Sequence, residues 1–564
     1  MPPSRKRSRL TRKSKSKKSV GTRNPETPPQ SQAETSSEPL TRPHAAFNVL
    51  TVSSRNATQA SLANLGQNPF EHGKKQDHEE PASPHAQKKV GYAPLHDPPL
   101  VLPECPTNEE KYCYLHTNRV PLYIFGIFAF FSLSAGMWLF TVCDYIFAWF
   151  GLFVFLLQAY LMVSYFVGIV GRDWDFESHK QVLLSYVITA TNAPTADIYL
   201  PCCSEDLTIL ENTYKHVQNL EYPQDKLKVY VMDDGNKAEV KEIAERFCPR
   251  PDFLSELIPE HLADDKTAII QTPQFFRVGS NQTWVEQGAG VTQELFYRVV
   301  QVNRNRWGAS ICVGSNAVYR RAALEEVGGT AEIGFSEDVH TGFGAVNRGW
   351  KVKYIPLCLA TGVCPDTPRS FLSQQMRWCM GSTTLLSNPE FWKSKLTFIQ
   401  KVCYLCGFMY YSAVALSIFV SSIPGILLLW FRPIYFKYYN LAFAVPSIAY
   451  GLIVFHFWAK ASFGFNVQHI MVIQSYAYLT AIKDKIFGKT LQWVPTGDAR
   501  AHKSNKYRNM RILCWMWTLT VLGALVGAVT YRVGFKGMVW YNTLPLIILN
   551  VYNVYLAHPF LFHT

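Results

Sequence analysis

Long apolar runs alternate with polar blocks along this chain. Val120–Cys143 contains 24 residues without a charge, and Tyr145–Gly171 contains 27. Four further apolar runs follow a polar block at residues 172–400: Val402–Phe431, Tyr438–Ala459, Ile512–Tyr531 and Gly537–Ala557. About 20 apolar residues suffice for a helix to cross the hydrocarbon core of a bilayer. The pattern therefore predicts about six transmembrane helices, two before the polar block and four after it.

Within the polar block, short apolar runs of strand type alternate with helical periodicity. "DIYLP", "KLKVYVMDDG", "TAIIQTP", "ASICVGSNAVY" and "KVKYIP" are typical of buried strands, whereas "SEDLTILENTYKHV" and "KAEVKEIAERF" favour helices. This alternation predicts an α/β domain with a mostly parallel sheet and helices on both faces. Ligands of such sheets bind beyond the carboxyl ends of the strands.

The remaining segments are polar or basic. Residues 1–95 lack hydrophobic periodicity and are predicted to be disordered. Nine Lys and Arg residues lie between Arg5 and Lys18, and a second basic cluster runs from Lys483 to Arg511. Because basic residues favour the cytosolic side, both termini and the polar block are predicted to be cytosolic.

The net charge of +13 has a simple explanation in this membrane context. Basic segments beside membrane spans attract anionic lipid headgroups, so a lipid bilayer is expected as partner and nucleic acid is not. The 13 cysteines show neither a metal-binding spacing nor a disulfide framework. A stretch at 463–488 is predicted to be an amphipathic interface helix.

Acidic residues follow the first two predicted strands. Glu205 comes after "YLPCC", and Asp233, Asp234 and Gly235 end "VYVMDDG". Carboxylates at a strand end are suited to a nucleotide base, a ribose or a divalent cation. Asp and Gly also form ordinary turns, and a single Asp-Asp-Gly is more often a turn than a site.

A second acidic pair lies in "GFSEDVHTGFG". Ser336 is a predicted helix N-cap, with Glu337 and Asp338 in the first turn. An ordinary capped helix explains this pattern. The functional alternative makes Asp338 a general base, with its pKa raised by the neighbouring carboxylate.

The stretch "FLSQQMRWCMG" places polar side chains among apolar ones shortly before a predicted span. In a helix, Gln374, Arg377 and Trp378 share one face. A guanidinium suits bidentate contact with a diphosphate, and an indole offers an apolar face to a pyranose ring. The alternative is an interfacial helix whose Arg and Trp lie at headgroup level.

Five motifs in this order, "LPCCSE", "VMDDG", "GSNAVYRR", "SEDVHTG" and "QQMRW", resemble those of processive family 2 glycosyltransferases. This family contains the cellulose, chitin and hyaluronan synthases. The segment "CLATGVCPDTPRSFLSQQMRWCMGS" resembles fungal cellulose-synthase-like proteins, some of which make mixed-linkage β-glucan. The resemblance covers roughly residues 115–560, and it implies a GT-A-like nucleotide-sugar-binding domain.

The resemblance also implies roles for the candidate residues. Glu205, Asp233, Asp234 and Gly235 would bind the UDP part of a UDP-sugar donor. Asp338, beside Glu337, would act as the catalytic base toward the acceptor hydroxyl. Gly314, Ser315 and Trp378 would bind the acceptor, and Gln374 and Arg377 would bind the diphosphate. Mg²⁺ or Mn²⁺ is the implied cofactor.

On this resemblance the partners are the donor and a growing polysaccharide, with a homo-oligomer or a synthase complex as an open alternative. The implied location is the plasma membrane, with a cytosolic catalytic domain. The loop "LQWVPTGDARAHK" occupies the position of a gating loop, centred on Trp493 to Thr496. Tyr, Trp, Ser and Asn side chains of the last four spans are candidates for lining a polymer channel, or for the ordinary interfacial belt. The named candidates are Tyr410, Tyr411, Asn440, Trp515, Trp517, Asn550 and Tyr552.

One motif of the family pattern is missing. An Asp-x-Asp that binds metal and diphosphate is expected between Asp234 and Asp338, and the sequence contains none there. Instead, "EVKEIAERFCP" leads directly to "RPDFLSELIP". Asp264 and Asp265 precede a strand and are predicted to form a turn. Either a segment is skipped in this reading of the gene, or the protein is a truncated and impaired relative.

Overall fold

The computed structural model describes most of the chain outside the N-terminal region. The described residues are 47–50, 102–202, 207–233, 252–280, 282–333, 335–461, 463–489 and 505–562. The predicted helix "KAEVKEIAERF" and the predicted gating loop at Trp493 to Thr496 lie outside these ranges.

Six strands form the main sheet in the order β3-β2-β1-β6-β4-β7. A two-stranded sheet pairs β5 with β8. The strands are β1 Phe47–Leu50, β2 Ala196–Cys202, β3 Leu227–Asp233, β4 Thr267–Gln271, β5 Gln274–Phe275, β6 Ala317–Arg320, β7 Lys351–Tyr354 and β8 Ala360–Thr361. The predicted α/β class is confirmed, and four of the five quoted strand segments coincide with β2, β3, β4 and β7.

The prediction of a mostly parallel sheet is confirmed with one exception. β1 and β3 run parallel to β2, and β4 runs parallel to β7, but β6 is antiparallel to both of its neighbours. The sheet is therefore mixed. The segment "ASICVGSNAVY" forms a strand only from Ala317, because Gly314 and Asn316 adopt left-handed backbone conformations that interrupt extended chain.

β1 corrects the prediction that residues 1–95 are disordered throughout. Phe47–Leu50 pairs with β2 on one side and with β6 on the other. Without a strand at this position, the facing backbone groups of β2 and β6 would be unpaired inside the sheet. A strand from the N-terminal region therefore occupies the position between β2 and β6.

The α/β part also contains α-helices. They are Asn108–Lys111, Phe176–Ser185, Leu207–Val217, Phe253–Ala263, Trp284–Leu295, Val302–Arg306, Arg321–Val327, Glu337–Asn347, Pro368–Ser387 and Pro389–Lys393. A π-helix, Phe296–Gln301, joins two of them, and a 3-10 helix covers Gln224–Lys226. Asp264 and Asp265 form the predicted turn before β4.

Five helices in the described part of the chain are long and apolar enough to cross a membrane. They are Val120–Val142, Phe150–Ile169, Phe398–Phe431, Lys506–Phe535 and Leu544–Phe562. Within the predicted span Tyr438–Ala459 the structure has a shorter apolar helix, Val445–Trp458. Its 14 residues extend about 21 Å, less than the about 30 Å of a bilayer core.

These apolar segments include local departures from α-helix. π-helical turns occupy Tyr165–Ile169, Tyr450–Val454 and Thr530–Phe535, and 3-10 turns occupy Tyr145–Phe147, Pro433–Tyr435, Tyr438–Phe443 and Trp540–Asn542. The α-helical parts of the short segment are Val445–Ala449 and Phe455–Trp458, and the helix after Lys506 is α-helical to Val529.

A helix at Phe465–Ile486 joins the α/β part to the membrane helices. It packs against Trp284–Leu295 and Pro368–Ser387 on the α/β side, and against Phe398–Phe431 and Leu544–Phe562 on the membrane side. Ile470, Ile473 and Ala477 are fully buried in the resulting core. A separate core, with Ile198, Leu257 and Val318, lies under the sheet.

Candidate active site

Four chain segments meet at one edge of the main sheet. β2, β3 and β4 run in the same direction, so Cys202, Asp233 and Gln271 all end at this edge. β6 runs the opposite way, and Asn316 immediately precedes its first residue there. The sequence analysis predicts the site beyond this edge, where these strands end.

The predicted donor-binding residues lie largely outside the described residues. Glu205, Asp234 and Gly235 fall in the ranges that the structure leaves undescribed. Asp233 is the last residue of β3, opposite Cys202 of β2, but its side chain is not described. Their roles stay predictions.

Asp338 lies in the first turn of the helix Glu337–Asn347. Ser336 is the N-cap residue, as predicted, but it adopts a left-handed conformation, with φ of 58°, and its side chain makes no capping hydrogen bond. Instead, Oδ1 of Asp338 accepts a hydrogen bond of 2.7 Å from the Val339 amide. The backbone thus turns sharply into the helix and places both carboxylates at its start.

The surroundings of this carboxylate pair favour protonation. Burial, followed by the charge of Glu337, raises the pKa of Asp338 to about 7. Burial also raises the pKa of Glu337, against a smaller opposing effect of Arg377. Glu337 is only 5% exposed, and its Oε2 has no hydrogen-bond partner among the described residues. A carboxylate that titrates near neutral pH is suited to general base catalysis.

The loop with Gly314 and Ser315 is fixed to the end of β4. Gln271 Oε1 accepts from the Val313 amide at 2.9 Å, and its Nε2 donates to the Ser315 carbonyl at 2.6 Å. Asn316 Nδ2 donates to Gln274 Oε1 at 2.5 Å. Gly314 has a φ of 82°, which favours glycine. Ser315 is half-buried at the rim of this rigid turn.

The helix Pro368–Ser387 carries Gln374, Arg377 and Trp378 on one half-buried face, as predicted. Arg377 Nη1 donates to Ser373 Oγ at 3.2 Å. Burial lowers the pKa of Arg377 to about 10, with Glu337 opposing this effect, so the guanidinium is still charged at neutral pH.

Gly381 extends this face toward the carboxylate pair. A Cβ atom at Gly381 would overlap the Ser336 side chain, so the two elements are in direct contact. His340 Nε2 lies 3.4 Å from the Gly381 carbonyl oxygen, and burial lowers the pKa of His340. The structure therefore brings the Arg377 helix and the Asp338 helix together.

The buried side of the same helix is anchored by a residue that the sequence analysis missed. Gln375 is fully buried, and its Oε1 accepts from the Tyr478 hydroxyl at 2.5 Å. Gln375 and His340 lie inside the motifs "QQMRW" and "SEDVHTG", but nothing in those motifs indicates these contacts, and Gln271 lies outside every motif. Tyr297 was also missed; burial, with a contribution from Asp338, raises its pKa.

Two cavities lie between the apolar helices. A narrow one of about 80 Å³ is lined by Ser421, Ser422, Trp517, Asn550 and Asn553, among others. A larger one of about 640 Å³ also includes Ser421 and extends to Tyr435, Tyr439, Asn440 and Asn542. Of the predicted channel residues, Asn440, Trp517 and Asn550 line these cavities, while Tyr410 and Tyr411 pack edge-on against Tyr478.

Comparison with known families gives one match. Residues 248–557 match the family described as glycosyl transferase family group 2. The matched region contains Gly314, Asp338 and Arg377, whereas Glu205 and Asp233 precede it.

Among characterised proteins, the chain is similar to bacterial cellulose synthases. It is 29% identical over 272 residues to cellulose synthase 1 catalytic subunit (UDP-forming) of Komagataeibacter xylinus, covering 41% of this chain and 36% of that protein. The catalytic subunit of Pseudomonas fluorescens is 26% identical over 265 residues, covering 39% and 35%. The chain thus spans about a third of the length of these relatives.

Among solved structures, the chain is similar to a mannosyltransferase from Pyrobaculum calidifontis in complex with GDP-Man and Mn²⁺. The identity is 14% and the TM-score 0.37, with 59% of this chain and 100% of that chain covered.

Proposed function

The chain belongs to glycosyl transferase family group 2, and we propose that it polymerises a β-linked glucan, cellulose-like or of mixed linkage, from UDP-glucose. In this proposal it is an inverting, processive enzyme that exports its product through its own transmembrane helices. The observation that carries the proposal is the contact between two elements: the turn with Glu337 and Asp338, and the helix with Arg377.

The reaction begins with the acceptor. Asp338, ionised above pH of about 7, takes the proton of the acceptor hydroxyl as its oxygen attacks the anomeric carbon of the donor. A carbon–oxygen bond forms to the acceptor while the bond between the anomeric carbon and the diphosphate oxygen breaks, and UDP leaves with the bonding electrons. Attack opposite to the leaving group inverts the configuration at that carbon.

In this proposal Arg377 binds the leaving diphosphate. Its guanidinium stays charged, and burial strengthens its interaction with a diphosphate. Gln374 lies on the same face and adds an amide donor. Trp378 provides an apolar surface for the terminal sugar of the acceptor, and Ser315 on the rigid loop provides a hydroxyl toward it.

The described residues do not fit the divalent metal that the resemblance implies. No group of three or more His, Cys, Asp or Glu side chains suited to a metal lies together in the described ranges. The sequence between Asp234 and Asp338 also lacks Asp-x-Asp. The steps above therefore use only side chains of this chain, and the requirement for Mg²⁺ or Mn²⁺ stays a separate prediction.

The route of the product is proposed through the two cavities between the apolar helices. Their walls are mainly apolar but include hydroxyl, amide and aromatic groups, which can contact the hydroxyl groups and ring faces of a sugar polymer. Ser421 lines both cavities, so they lie on either side of one residue of the helix Phe398–Phe431. With a cytosolic catalytic part and the plasma membrane as location, this route would deliver the glucan outside the cell.

A second candidate is a partner protein with little activity of its own. The absence of Asp-x-Asp from the sequence favours it, because the leaving diphosphate would lack the stabilisation that such a site supplies. A chitin- or hyaluronan-type synthase, with UDP-N-acetylglucosamine as donor, differs from the main proposal only in its sugar.

Incorporation of radiolabelled sugar by the purified full chain in lipid nanodiscs tests the proposal. UDP-glucose should yield a polymer that a β-glucanase degrades and that chitinase and hyaluronidase leave intact. The Asp338→Asn variant should make none while still binding UDP. Polymer made only from UDP-N-acetylglucosamine would contradict the proposed donor, and no polymer from either donor would support the partner function.

A further inference from the structure

A groove of about 840 Å³ lies on the outside of the apolar helices, away from the candidate active site. One wall comes from the first transmembrane helix, with Phe125 and Phe128, and the other from the short helical segment Val445–Trp458. Phe125 is 52% exposed and Phe457 is 83% exposed. Beside a helix that crosses a membrane, such an apolar surface faces hydrocarbon and is suited to acyl chains.

One end of the groove is polar. Asn118, immediately before the first transmembrane helix, and Lys460, immediately after the short segment, both line it. Because both residues lie just outside apolar segments, this end is at the membrane surface. From Val445 to Lys460 the lining extends about 22 Å at helical rise, enough for an acyl chain of one leaflet.

A buried ion pair holds this polar end in place. Arg298 is 4% exposed, and its Nη1 donates to Glu294 Oε1 at 2.7 Å and to the Trp458 carbonyl at 3.1 Å. Glu294 in turn accepts from the Lys460 and Ala461 amides at 2.8 and 3.1 Å. The backbone at Lys460 is therefore fixed to the helix that carries Arg298.

The charges at this end leave one cation uncompensated. Glu294 neutralises Arg298, whereas the exposed Lys460 ammonium has no ion-pair partner among the described residues. An ammonium at the membrane surface, at the mouth of an apolar groove, is complementary to a phosphate on a chain-bearing molecule.

We propose that this groove is a binding site for one anionic glycerophospholipid, with an acyl chain along Phe125 and Ile453 and its headgroup at Lys460. The proposal rests on membrane insertion of the helices and not on the proposed sugar transfer. A loss of lipid binding and a loss of glucan synthesis are consequently separate outcomes.

The test is native mass spectrometry of the purified full chain after exchange into phosphatidylglycerol or phosphatidylcholine. The wild type should retain one phosphatidylglycerol in preference to phosphatidylcholine. Lys460→Gln should weaken that retention about fivefold, the effect of one surface lysine on an anionic lipid. The matched control is Lys395→Gln, which removes an exposed charge three residues before the span that begins at Phe398 and should change nothing.

A second variant tests the chain-binding part of the groove without changing charge. Ala449→Trp fills the groove and should abolish retention of both lipids; monodisperse elution shows that this variant folds, and Ala449→Leu replaces it otherwise. Equal retention of both lipids by the wild type, or unchanged retention in Lys460→Gln, would overturn the proposal. A wild-type dimer that Ala449→Trp converts to a monomer would also overturn the proposal, because the groove would then bind a second copy of this chain.

Discussion

At the scale of single residues, protonation of Asp338 controls the proposed chemistry. Its raised pKa means that the carboxyl is protonated below about pH 7 and cannot accept the acceptor proton there. We expect kcat/KM for the donor to rise with pH up to about 7 and then to level off. Rates of polymer formation between pH 5.5 and 8.5 measure this profile.

The Glu337→Gln variant tests the cause of the raised pKa of Asp338. It removes the neighbouring charge that is the second cause of the raised pKa, so the rise should move to lower pH. Elution as a monodisperse species at each pH controls for unfolding. A profile that is flat between pH 6 and 8 in the wild type would remove Asp338 as the base.

The shape of the Arg377 side chain is expected to matter as much as its charge. Arg377→Lys keeps a cation but loses the planar fork that contacts two phosphate oxygens. We expect inhibition by UDP to weaken about tenfold, the loss of one charge-assisted hydrogen bond. The control is Arg369→Lys on the same helix, where the cation lies over the Tyr507 ring. Equal UDP affinity in both variants would contradict the assigned role.

Residue types and their spacing predicted Asp338, Arg377 and Trp378 as candidates, and the helical faces followed correctly. The sequence could not reveal that Ser336 has a left-handed backbone or that it contacts Gly381, which is 45 positions away, because neither feature has a local pattern. The anchoring by Gln271 and Gln375 was missed for the same reason. Buried amides that satisfy distant backbone or hydroxyl groups have no local pattern.

At the scale of elements, the contact between the Asp338 turn and the Arg377 helix determines the site. A Cβ at Gly381 would overlap Ser336, so Gly381→Ala should force these elements apart. We expect a loss of about 1–3 kcal/mol of stability, as for other overpacked contacts, together with a large fall in kcat. Thermal unfolding and turnover in the same detergent measure both effects.

Two further variants make this prediction specific. Ser336→Gly in the Gly381→Ala background removes the overlapping side chain and suits the left-handed backbone, so it should restore activity. Gly344→Ala, where a Cβ has its nearest neighbour at 3.7 Å, should be neutral. Failure of the double variant to recover would mean that Gly381 matters for another reason.

Secondary structure was predictable at this scale where periodicity was strong. The periodicity predicted the strands that end at Cys202 and Asp233, and it predicted the long apolar helices. It did not predict the direction of β6, because strand direction depends on how the chain crosses over and not on side-chain alternation. The short helix within the predicted span Tyr438–Ala459 also escaped prediction, since hydropathy does not register its π and 3-10 turns.

At the scale of the whole molecule, β1 occupies a position that sequence analysis left without a strand. It pairs with β2 and β6, where an Asp-x-Asp strand between Asp234 and Asp338 would belong on the family resemblance. Two versions of the native protein are consistent with this sheet. In one, Phe47–Leu50 is the native central strand. In the other, a longer chain has its own strand there.

We predict that the native protein is the longer chain, because the motifs before and after the missing Asp-x-Asp segment are intact. Sequencing of the messenger RNA across the codons for Phe247 to Phe253 should yield a longer transcript that encodes an Asp-x-Asp strand. Truncation of the present chain separates the alternatives at the protein level. Removal of residues 1–50 takes away β1 and should unfold the sheet of the present chain, whereas removal of residues 1–43 should not. If the longer chain tolerates both truncations, the restored strand has replaced β1; if its sheet also fails without residues 44–50, Phe47–Leu50 is the native central strand.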